Sequence, residues 1–107
     1  MPANIPPDLA DLAEEYLNNR CEDAAALREA VRTGDLVGAR RRGHNMKGSG
    51  AGYGFPRVTE LGARIERAAE AGDTAAIERW ADALTEYAER QLRELQASAS
   101  RSDSTSR

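Results

Sequence analysis

The residues best suited to chemistry lie in one ten-residue stretch. GARRRGHNMK, residues 38 to 47, contains the chain's only histidine, His44, and its only lysine, Lys47, together with Arg40, Arg41 and Arg42 and no acid. The stretch carries +4 in a chain of net charge -3, so the rest sums to -7 and this segment is an anion-attracting island. If the segment is helical, His44 has Arg40 and Arg41 one turn before it and Lys47 and Gly48 one turn after it. Three of these neighbours are cations, and the fourth has no side chain to obstruct an approaching partner. An exposed imidazole is largely uncharged at neutral pH and keeps a nucleophilic nitrogen, while an amine one turn away can neutralise phosphoryl oxygens. Reversible anionic modification of the ring is the chemistry that fits this set.

Other chemistries fail on context. GSGAGYG is glycine-rich, but it matches neither a P-loop nor a dinucleotide fingerprint in spacing, and RRRGHNMK stands where a buried strand would have to precede it. A metal site is not expected, because one histidine with no acid on its own helix face lacks the ligand count. A hydrolase built on Ser49 or Cys21 with His44 is also disfavoured, since a helix turns Ser49 about 140° away from His44 and places no orienting carboxylate one turn off. Cys21 is the single cysteine, so it forms no internal disulfide and reads as a small half-buried residue. The acidic overall balance argues against nucleic acid as a partner. No apolar run approaches the roughly 20 residues of a membrane span, and MPANIPPDLADLAEE lacks the basic-then-apolar order of a secretory signal. A cytoplasmic location is expected.

The elements that must position these residues are helices. Aromatics are 5% of the chain, β-branched residues are few, and apolar and polar residues do not alternate over any useful length. With Pro6 and Pro7 at its first turn, Leu9, Leu12, Ala13, Tyr16, Leu17, Ala24, Leu27 and Val31 predict a helix over about 8–32, with Asn18-Asn19 as the place for a bend. Gly34 stops it and Asp35 caps a second helix over about 36–52, in which Leu36, Ala39, Gly43, Met46 and Gly50 form the core-facing arc and His44 lies off it. Glycine costs about 1 kcal/mol in a helix relative to alanine. Gly43 and Gly50 therefore imply a close neighbouring helix, and Gly48 implies cleared space outward. Tyr53-Gly54-Phe55-Pro56 breaks the second helix. Val58, Leu61, Ile65, Ala68 and Ala69 mark a third, and Asp73-Thr74 caps a fourth over about 74–96 with Ile77, Trp80, Leu84, Tyr87, Ala88, Leu92 and Leu95 on one face. The expected architecture is an all-α, antiparallel up-down four-helix bundle over 8–97, with a lead-in at 1–7 and a disordered Ser-rich tail at 98–107. One bundle consumes all four apolar stripes, which predicts a monomer.

His44-Asn45-Met46-Lys47-Gly48-Ser49, with Gly54 ten residues after the histidine, resembles the His-x-x-Lys-Gly-Ser motif of histidine-containing phosphotransfer (HPt) domains. The resemblance extends from about Leu9 to Leu95, since that family is a four-helix bundle with its phosphoacceptor exposed midway along one helix. It implies that His44 is the phosphoacceptor, Lys47 contacts the phosphoryl group and Gly48 is the gap for the incoming domain. Two residues depart from the pattern: Gly50 stands where a second serine is common, and Met46 where leucine is common. Family members have no kinase activity or cofactor of their own. They exchange phosphoryl groups with response-regulator receiver domains, which hold the magnesium ion, and with hybrid histidine kinases. A docking stripe of Val37, Arg40, Arg41, His44, Lys47, Gly48 and Ala51 follows along the outer face of the second helix. The competing reading is a helical module that sequesters a receiver or kinase on the same face without accepting phosphate.

Overall fold

The computed structural model describes residues 9–105, and the chain folds into the expected four helices: α1 (Ala10–Thr33), α2 (Leu36–Ser49), α3 (Pro56–Ala71) and α4 (Thr74–Thr105), with one 3-10 turn at Ala51–Tyr53. The lead-in at 1–7, including Pro6 and Pro7, lies outside the described residues. The punctuation follows local chemistry. Gly34 and Gly72 end α1 and α3 with left-handed backbone, φ 80° and 71°, which glycine adopts without a Cβ penalty. Asp35 accepts from the Gly38 amide at 2.9 Å and Asp73 from the Ala76 amide at 3.1 Å, satisfying free N–H groups at the starts of α2 and α4. Pro56 occupies the first turn of α3, where its missing N–H has no cost.

Two boundaries differ from the sequence reading. The second helix ends at Ser49, not near 52, because the chain tightens into the 3-10 turn and Gly54 takes φ 89°. Ala51 therefore lies just past α2, its amide donating to Thr59 Oγ1 at 2.8 Å. The fourth helix continues to Thr105, so residues 98–105 are helical where a disordered tail was expected. No glycine or proline follows Gly72 to stop propagation, and each further residue adds a backbone hydrogen bond. Asn18-Asn19 does not interrupt α1.

Cross-helix contacts set the antiparallel register. From Tyr16 to Asp23, α1 meets Ser49 and then Arg42, so its neighbour α2 runs the other way. Arg28 of α1 reaches Asp82 of α4 at 2.8 Å. Leu17, Leu27, Met46, Val58, Leu61, Ile65, Ile77 and Leu84 are fully buried, each worth about 1.5–3 kcal/mol of apolar transfer. Phe55, which the sequence placed in a helix break, is also fully buried. It stacks on Tyr16 at 5.9 Å between centroids and meets Tyr87 edge-on at 6.4 Å, anchoring the α2–α3 connection to the core. Leu9 and Leu12 depart from their expected core positions and are exposed.

The closest contact is between α2 and α3. A Cβ at Gly43 would lie 2.7 Å from the Glu66 amide nitrogen, and one at Gly62 would lie 2.5 Å from that of Lys47. Gly50 faces Thr59 backbone at 2.5 Å in the same sense, whereas Gly48 has nothing within 4 Å. The obstructing atoms belong to helix backbone and cannot swing aside. Gly43→Ala and Gly62→Ala are therefore expected to destabilise the bundle by about 1–2 kcal/mol despite better helix propensity, while Gly48→Ala stabilises it by up to about 1 kcal/mol. Denaturant midpoints of the three variants check the opposite signs.

Candidate functional site

Because Gly43 and Gly62 let α3 approach so closely, Glu66, one turn after Gly62, reaches the residues α2 presents on that side. Its Oε2 lies 3.1 Å from His44 Nδ1, and its Oε1 lies 2.8 Å from Lys47 Nζ. The carboxylate itself is largely covered, at 12% side-chain exposure, while the imidazole is 62% exposed and the Lys47 side chain 43%. A sheltered acid thus holds two more exposed groups from beneath. The Lys47 ammonium, aided by His44 and opposed by partial burial, keeps the Glu66 carboxyl below the usual carboxylate range.

An ionised carboxylate can only accept hydrogen bonds, so His44 Nδ1 must carry the hydrogen in this contact. In the neutral ring that tautomer leaves the lone pair on Nε2, the nitrogen across the ring from Glu66. The arrangement supplies an oriented, exposed nitrogen nucleophile with a cation on its α3 side. An open space stands one turn on, at Gly48.

The remaining expected residues divide by helix face. Val37, Arg40, Arg41, Lys47 and Gly48 are exposed on α2 with His44, and Ala51 is exposed just beyond it. Arg40 and Arg41 have no ion-pair partner among the described residues. Arg42, part of the same basic run, turns the other way and pairs with Asp23 of α1 at 2.7 Å. Ser49 is half-buried with its hydroxyl 2.9 Å from that of Tyr16, so it stays turned from His44 as helix geometry requires. Cys21 is half-buried, and burial pushes its thiol up. No group of three or more potential metal ligands occurs among the described residues.

Glu66 corrects the sequence reading, which found no orienting carboxylate because it looked only along the helix bearing His44. A signal was present. Gly62 sits inside an apolar helix pattern where it costs stability, and it therefore marks a close helix contact whose next-turn residue is Glu66.

The Hpt domain family model matches residues 11–101. The chain belongs to the Hpt domain family. No curated protein and no solved structure matches it. Membership makes this Hpt domain a phosphotransfer module of two-component signalling, a class that works with receiver domains and kinases and consists of phosphocarriers. No helix among the described residues is long and apolar enough to cross a membrane.

The linkage at Glu66 has a definite sign. Its folded value is lowered, so its stabilising contribution is complete above the unfolded-chain value and is lost as pH falls through the folded one. Followed by NMR, the Glu66 carboxyl should titrate below the ordinary carboxylate range and move back up in Lys47→Ala. In Glu66→Ala, ring nitrogen shifts of His44 should show the proton redistributing between Nδ1 and Nε2. An unchanged tautomer balance would remove Glu66 from its orienting role.

Proposed function

We propose that this Hpt domain is a phosphorelay carrier in the cytoplasm that accepts a phosphoryl group on His44 from a receiver-domain aspartate and passes it to another relay protein. The observation that carries the reading is the His44–Glu66–Lys47 set, in which one sheltered carboxylate holds both the exposed imidazole and the ammonium beside it. Its partners are response-regulator receiver domains and a hybrid histidine kinase. The chain needs no cofactor or kinase activity of its own, with magnesium held by the receiver.

The transfer is an in-line displacement. The Nε2 lone pair attacks phosphorus, an Nε2–P bond forms, and the P–O bond to the aspartyl carboxyl breaks, returning that carboxyl as a carboxylate. The ring becomes a phosphoimidazolium, its Nδ1–H still bonded to Glu66, so the new positive charge faces an anion. Lys47 shares the charge on the phosphoryl oxygens, which requires its ammonium to swing between Glu66 and the phosphate. Arg40 and Arg41 supply further positive potential. Donor and acceptor linkages are both high-energy, so mass action sets the direction. The partner covers the outer face of α2, with Val37, Arg40, Arg41, His44, Lys47, Gly48 and Ala51 as its docking stripe, and Gly48 as the clearance.

A transfer assay from a phosphorylated receiver tests these assignments. His44→Gln should abolish acid-labile, base-stable labelling while leaving the fold and receiver binding nearly intact, since an exposed site contributes little to packing. Lys47→Ala removes a charge-assisted contact of roughly 1.5–3 kcal/mol, equivalent to about 10- to 150-fold slower transfer. Val37→Glu and Gly48→Gln should slow transfer without unfolding the bundle. Persisting label in His44→Gln would overturn the phosphoacceptor, and receiver binding without any label on the wild-type chain would favour a sequestering module.

We also propose that the carrier is a monomer, because most of the apolar surface of the four helices is spent inside one bundle. Sedimentation should give one species of monomer mass, and a dimer persisting on dilution would contradict it.

A further inference from the structure

In an in-line displacement the leaving group departs on the side of phosphorus opposite the attacking nitrogen. The titratable groups bonded around His44 sit on the nitrogen's own side. Glu66 lies behind the ring, 3.1 Å from Nδ1, and Lys47 Nζ lies 2.8 Å from the same carboxylate. Two donors thus hold Glu66 in its ionised form, and its carboxyl is kept below the usual carboxylate range, so at neutral pH it has no proton to give. Arg40 and Arg41, exposed one turn before His44, are permanent cations and cannot act as acids. The site offers an oriented nucleophile and positive charge, but nothing to protonate a departing group.

This sorts the possible donors. An alkoxide leaving a phosphate monoester needs a proton in the transition state, whereas a carboxylate, whose acid has a pKa of about 4, leaves unprotonated at neutral pH. A phosphorylated receiver carries its phosphoryl group on a carboxylate as a mixed anhydride, and small acyl phosphates contain the same linkage. The set around His44 asks nothing of a donor beyond that bond. This chain's Glu66 orients Nε2, its Lys47 supplies charge to the phosphoryl oxygens, and the approach is clear at Gly48, where an added Cβ would meet nothing within 4 Å.

Resting on the phosphorelay reading, we propose that this chain also takes a phosphoryl group directly from small acyl phosphates, without a partner protein, through the His44–Glu66–Lys47 set. The Nε2 lone pair forms the N–P bond, the P–O bond of the anhydride breaks with its electron pair, and the donor leaves as a free carboxylate. The Nδ1 proton stays on the ring, facing Glu66, so no proton is taken up or released. Arg40 and Arg41 draw the anionic donor toward the ring. A small donor brings no docking energy, so this route is slower than transfer from a receiver, and its rate rises with acyl phosphate concentration.

Acetyl phosphate is the probe, added to the full chain without receiver or kinase. Acid-labile, base-stable label should approach one phosphoryl group per chain, at a rate about tenfold or more above that of the same chain unfolded in urea, where His44 has lost Glu66 and Lys47. Lys47→Ala should be slowed about tenfold, His44→Gln should stay unlabelled, and glycerol phosphate, a monoester, should give no label. Four results would each overturn the inference: a folded wild-type chain left unlabelled by acetyl phosphate, equal labelling of folded and unfolded chains, Lys47→Ala at the wild-type rate, or label from glycerol phosphate or on His44→Gln. Phosphorylated receivers separate this failure from that of the phosphorelay reading. Label from a receiver but not from acetyl phosphate strikes this inference alone, and label from neither donor strikes both.

Discussion

The close approach of α2 to α3 is the constraint on which the site depends. With a side chain at Gly43 or Gly62, the two backbones would have to part, because the atoms a Cβ would meet at 2.5–2.8 Å are main-chain nitrogens and oxygens of the facing helix. Separation of that kind would carry Glu66 out of hydrogen-bonding range of His44 and Lys47, since both contacts are already at ordinary lengths of 3.1 and 2.8 Å. Two glycines with no side chain of their own thus set the geometry of three titratable residues.

A second constraint acts at the end of the same helix. The glycine-rich run after Lys47 has little side chain to hold it, and it is secured from outside by rings and backbone. Phe55 enters the core and its amide donates to the Gly50 carbonyl at 2.8 Å, while Tyr53 stacks on Tyr16. The result is a helix whose core side is tightly packed and whose outer side is stripped of bulk at Gly48. The His44 face is thereby held from within and left open at Gly48.

Charge is divided between the flanks of α2 in a way that net charge conceals. Of the four cations in its basic run, Arg42 is committed to Asp23 and Lys47 to Glu66, and Arg40 and Arg41 remain without ion-pair partners among the described residues. The paired cations tie α2 to α1 and α3, and the unpaired ones leave positive potential on its outer face. The segment's +4 is therefore two structural charges and two facing solvent.

Much of this was legible in the primary structure for a physical reason: helix periodicity, glycine stops and aspartate caps are local, so the four helices, the Asp35 and Asp73 caps, the core arc of α2 and the exposure of His44 follow from spacing along one chain segment. The close helix contact was legible too, through the stability cost of Gly43 and Gly50. The partners across helices were not. Glu66 beneath His44, Asp23 against Arg42, the burial of Phe55 and the exposure of Leu12 each depend on how two or more helices rotate and slide against one another, which no single helix's periodicity determines. The far end of α4 was misjudged because large apolar residues cease near Leu95 while backbone hydrogen bonding requires none. Sequence alone thus determined that the one imidazole is exposed on α2; tertiary packing decided which of its nitrogens is free, because the carboxylate that holds the other comes from a different helix.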